Sequence, residues 1–241
     1  MWGRKEIYMK KENKNQEYFG LTNDVIFGWI MESDENCLAI IRAILPDLNL
    51  ASIVYKEAKY SPIPGTSVQE VQFYVEVQDD QDCCYAIEIK AANTNHLGLR
   101  TRYYQAQIDE AIFANGQTSH DLKECFVIFL CSFDPFGCGL RRYQFHQYED
   151  TLQDLRLGTQ SHTIIINAQG TKGEVSDDLA GIIDVMNQKP NQTNPLANKL
   201  MKEIDHYNQD LEKRQELIDY ETSLHGDLIG EKRITNDNDC I

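Results

Sequence analysis

The chain has 241 residues, with 38 acidic against 23 basic side chains, a formal net charge of −15, and 41% hydrophobic and 25% charged residues. That length and composition predict one core domain of about 150 residues with an appendage, and no apolar run reaches the roughly 20 residues of a membrane span. The acidity argues against a nucleic-acid partner unless the basic residues gather on one face, and many of the acids lie beyond residue 170.

Met1 to Gln16 mixes Lys and Glu with no apolar export segment, so a soluble, cytoplasmic chain without membrane contact is expected. Seven cysteines in no zinc-binding spacing fit reduced thiols. Thr22 reads as the N-cap of a helix over Asn23 to Met31, with Ile26, Phe27 and Ile30 at helical spacing. A second helix, Asp34 to Ile44, is closed by Pro46, and a strand over Ile53 to Tyr60 precedes a turn at 61–65. From Val71 to Gln78 the alternation is strict. Val71, Phe73, Val75 and Val77 fall on one face and Gln72, Tyr74, Glu76 and Gln78 on the other, the pattern of a half-buried strand.

Turn residues Asp79 to Asp82 join this strand to a second, Tyr85 to Lys90, as a hairpin. A helix over Arg100 to Asn115, with Gly116 at its C-cap, leads to Cys125 to Ser132, an apolar run that reads as a strand buried on both faces. A strand-like stretch over 141–149 and a short strand at Thr163 to Asn167 follow. Helix Ser176 to Met186, an Asn- and Pro-rich linker at 187–195, and a charged helix from Leu196 to Tyr220, exposed or packing, complete the predicted elements. The last dozen residues read as disordered. The domain reading is 1–190 as an α/β sandwich around a small mixed sheet, and 191–241 as linker, C-terminal helical extension and tail. The extension is also the candidate surface for a homo-oligomer.

Chemistry concentrates on the strand Ile87-Glu88-Ile89-Lys90, where a carboxylate and an ammonium two residues apart share one face. Such a pair is usually a solvated face. In phosphodiester hydrolysis, the carboxylate would instead hold Mg²⁺ while the lysine orients the attacking water. His96, His146 and His162 show no ligand spacing and read as surface or satisfied core residues.

The stretch VQFYVEVQDDQDCCYAIEIK, followed by LRTRYYQAQIDEAIFANGQ and DLKECFVIFLCSFDPFGCGLRRYQF, resembles the Rpn, or PD-(D/E)XK transposase-like, nuclease family. LTNDVIFGWI and HTIIINAQGTKGEVSDDLAGIIDVMN extend the similarity almost end to end. The resemblance implies a restriction-endonuclease-like sandwich and a Mg²⁺- or Mn²⁺-dependent endonuclease acting on DNA in recombination or mobile-element biology. It places Glu88 and Lys90 at the catalytic positions. Tyr74 falls where the family carries an aspartate, and a phenol with a pKa of about 10 is a poor Mg²⁺ ligand. Glu76, about 6.6 Å along the strand, does not replace it. The alternative is therefore a catalytically inactive protein of this fold serving as a binding or regulatory module. Asp24 matches a further acidic position, making it either a second metal ligand beside Glu88 or only a favourable charge in a helix's first turn. Arg102 and Gln107 resemble family positions that support the site or contact DNA phosphate, and Arg100 on the same helix is a third DNA-binding candidate; the alternative is partly core tyrosines beside a solvated arginine face.

Overall fold

The computed structural model describes residues 17–62, 71–92, 96–114, 116 and 118–222. Two short helices come first, α1 (Asp24–Glu32) and α2 (Asp34–Ile44). Asn23, not Thr22, caps α1, its side chain accepting from the amides of Val25 at 3.0 Å and Ile26 at 3.2 Å. Asparagine's carbonyl reaches the free amides of the first turn at least as well as a threonine hydroxyl does. Ser33 ends α1 and caps α2.

Strands β1 (Ile53–Pro62), β2 (Val71–Asp79) and β3 (Cys84–Lys90) form an antiparallel meander. Asp79, the first of the turn residues, is the last residue of β2. It is 2% exposed, and its carboxylate accepts from the amides of Gln81 at 2.8 Å and Cys83 at 2.9 Å and from the Tyr85 hydroxyl at 2.7 Å, fixing the hairpin. Residues 63–65 of the expected turn lie outside the described residues.

Helix α3 (Leu97–Ala114) begins three residues before the expected Arg100, and beyond its end Gly116 has a φ of +78°, the left-handed conformation glycine tolerates. It returns the chain to β4 (Cys125–Cys131), parallel to β3 and buried at every position. Of the strand-like stretch 141–149, only β5 (Arg142–Phe145) is a strand, antiparallel to β6 (Ser161–Asn167), which is parallel to β4. The result is a six-stranded mixed sheet in the order β1-β2-β3-β4-β6-β5.

Alternation along the strands divides the core in two. On one face Val75, Ile87, Ile128 and Ile166 pack with α1, α2 and the later helices α4 (Asp177–Met186) and α5 (Pro195–Gln209). On the other, Tyr74, Ala86, Phe129 and Ile165 pack with Tyr104 and Ile108 of α3. The chain is thus an α/β sandwich. Tyr74 departs from the half-buried reading: it is 3% exposed, because α3 covers the face that the polar residues around it suggested was solvated.

The stretch 187–195 packs rather than merely links. Asn194 caps α5 by accepting from the Ala197 amide at 2.7 Å, and Gly181 in α4 leaves room for it. The single helix expected over 196–220 is two, because Asp210 ends α5 and caps α6 (residues 211–222), accepting from the amides of Glu212 at 3.0 Å and Lys213 at 2.9 Å. Leu200, Ile204 and Leu217 are buried in the chain's own core, so this segment packs on the domain, while Leu211 and Ile218 are exposed. The six cysteines among the described residues are free thiols, and none of the described helices is long and apolar enough to cross a membrane.

Candidate functional site

Glu88 stands on the α3 face of β3, opposite Phe129 of β4, and is 2% exposed. A carboxylate at such depth is tolerable only when paired and fully hydrogen-bonded. Arg100, from the first turns of α3, forms an ion pair with Oε1, Lys90 Nζ lies 3.3 Å from the same oxygen, and the Tyr104 hydroxyl donates to Oε2 at 2.7 Å. Arg100 also donates to the Tyr104 oxygen at 2.9 Å, closing a triangle of carboxylate, guanidinium and phenol. The i, i+4 spacing of Arg100 and Tyr104 sets both on the helix face above Glu88.

Continuing the register Val75↔Ile87 by one residue sets Tyr74 directly across from Glu88. The phenol of Tyr74 does not address the carboxylate. Its ring packs on Tyr104 with centroids 4.6 Å apart, and its hydroxyl donates to Gln107 Oε1 at 3.1 Å. Burial, then the charge of Glu76, pushes the Tyr74 pKa upward, so it stays a neutral donor. Glu76 is ion-paired to Lys59 on the neighbouring strand β1.

Asp24, in the first turn of α1, does approach the site. Burial, reinforced by the charge of Glu88 and opposed by that of Lys90, raises its pKa from 3.8 to about 6. The Tyr220 hydroxyl donates to its Oδ2 at 3.4 Å, and Glu221 accepts from Asn23 Nδ2 at 2.6 Å, so the end of α6 sits over the start of α1. Sequence periodicity did not point to these C-terminal contacts, which span nearly 200 residues.

Of the residues expected at a DNA surface, Arg100 is a correction: it is 8% exposed and engaged with Glu88, and its buried Nε and Nη1 have no hydrogen-bond partner. Gln107 sits between Tyr74 and Tyr103, donating to the latter's hydroxyl at 3.0 Å. Arg102 is exposed on α3, the one of the three free to meet a phosphate from outside.

The donor set does not fit a Mg²⁺ ion. Both oxygens of Glu88 are engaged and its charge is opposed by two cations, the position across from it is a neutral phenol, and among the described residues no three His, Cys, Asp or Glu side chains are grouped to hold an ion. As it stands, the cluster is a buried ion pair linking β3 to α3.

Comparison with protein-family models, with curated proteins and with solved structures found no match.

Proposed function

We propose that this chain is a PD-(D/E)XK-type protein of the Rpn, transposase-like kind whose nuclease site has fallen silent, and that it acts as a binding or regulatory module. The observation that carries the reading is Tyr74 across from Glu88, its hydroxyl given to Gln107 while Arg100, Lys90 and Tyr104 occupy the carboxylate. A metal-dependent nuclease needs an acidic pair with open coordination positions. Here the second acid is missing and the first is neutralised. A net charge of −15 also weighs against tight, salt-resistant binding to a phosphate backbone.

The opposing reading is an active DNA endonuclease using Glu88, Lys90 and Asp24 with Mg²⁺ or Mn²⁺. Its support is the proximity of Asp24, whose pKa responds to the charge of Glu88. Plasmid nicking with either metal separates the two. The silent-site reading expects no cleavage by the native chain beyond that of Glu88→Gln, and cleavage that Glu88→Gln abolishes overturns it.

A further inference from the structure

On the opposite face of the sheet from Glu88, a pocket of about 280 Å³ opens between the end of α2 and the β5–β6 edge. Arg142 and Gln144 lie opposite Ile166 and Ile164 of β6, whose side chains join the core beneath α1, α2 and α4, and His146 follows two residues on. His162 of β6, directly opposite Phe126 of β4, stacks on its ring with centroids 4.6 Å apart and interplanar angle 15°. Arg156 enters from the loop after β5, its guanidinium 5.6 Å from the Tyr148 ring centroid.

Neither arginine side chain has a carboxylate or carbonyl partner among the described residues. The partly buried Arg142 guanidinium makes no hydrogen bond or ion pair with any described residue, and its Nε is shut off from solvent without a partner. A buried N–H donor in that state costs free energy that an acceptor would recover. Two carboxylates also line the pocket. Glu124 is held by His162 Nε2 at 2.7 Å, and Asp47 acts on Arg142 only through its charge, outside ion-pair distance. Burial lowers the pKa of His146, and the charges of Arg156, His162 and Arg142 lower it further.

We propose that this pocket is a binding site for a small phosphate-type oxyanion, either free phosphate or the terminal group of a phosphomonoester, held by Arg142 and Arg156 with Gln144 and His146 completing the shell. Its volume of about 280 Å³, just below the range of drug-sized ligand pockets, admits a phosphate group with room for a small substituent. Planar guanidinium forks match its oxygens. The proposal does not depend on whether the Glu88 site cuts DNA.

The test is calorimetric titration of the full chain with inorganic phosphate, glycerol 3-phosphate and malonate at constant ionic strength, repeated with Arg142→Gln and Arg156→Gln. Saturable phosphate or phosphomonoester binding that each variant weakens by about tenfold or more is expected. The tighter of the two ligands identifies the source of the phosphate group. The Arg142 guanidinium makes no hydrogen bond with any described residue and Arg156 is exposed, so both variants should keep the native urea midpoint. The proposal fails if neither phosphate ligand saturates, if the variants bind like the native chain, or if malonate binds as tightly as phosphate.

Discussion

Replacing Asp24 with asparagine should stabilise the protein, and only above a defined pH. The Asp24 carboxyl has a pKa of about 6 in the folded chain against an ordinary 3.8, with burial the larger cause and the neighbouring Glu88 charge the next. Because the folded value is the higher, the folded state binds the proton more tightly. The resulting stabilisation is complete below pH 3.8 and is lost as the pH rises through about 6. Two pKa units correspond to about 3 kcal/mol. The charge also sits in the first turn of α1, where the helix dipole favours it by roughly 0.3–1 kcal/mol, so burial wins and a net cost of about 2 kcal/mol remains at pH 8. Asp24→Asn keeps an acceptor for the Tyr220 hydroxyl and removes the charge. Urea titrations at pH 4 and pH 8 should show coincident midpoints at the lower pH and a higher midpoint for the variant, with unchanged slope, at the higher. A variant less stable than the native chain at pH 8, or a difference that does not change with pH, would refute the reasoning.

Other substitutions probe the same framework. Glu88→Gln strands Arg100 and Lys90 without their carboxylate and should cost about 3–5 kcal/mol; a loss below about 1 kcal/mol in urea unfolding would show that the pair is not the tie described. Gly181→Ala would set a Cβ 2.7 Å from Asn194 Oδ1 and 3.2 Å from Ala197 Cβ, forcing α4 and α5 apart. A cost of about 1–3 kcal/mol is expected by thermal unfolding, and an unchanged midpoint would contradict the close approach.

Much of the sandwich was legible because its strongest signals are local. CFVIFLC is apolar without interruption because β4 lies between two parallel neighbours with helices over both faces. The i, i+2 spacing of Glu88 and Lys90 was enough to set them on one face. What escaped depends on contacts distant in sequence. Tyr74 sits among Gln72, Glu76 and Gln78 and reads as solvated until α3, arriving some 30 residues later, covers it. Asp210 interrupts a helical pattern whose apolar spacing continues through it to Leu217, and only the cap geometry shows the break. Arg100 has the spacing of a surface arginine on α3, but the buried carboxylate on β3 decides where it points. His146 and His162, left without a role for want of ligand spacing, meet at a ring separation of 5.4 Å because β5 and β6 pair antiparallel.

The central claim, that Glu88 is neutralised by protein cations and does not serve a metal, is tested most directly by titrating the native chain and Glu88→Gln with Mn²⁺, following bound ion by electron paramagnetic resonance. No saturable site in the native chain that the substitution removes is expected. One Mn²⁺ per chain, lost in Glu88→Gln, would contradict it and restore the nuclease reading.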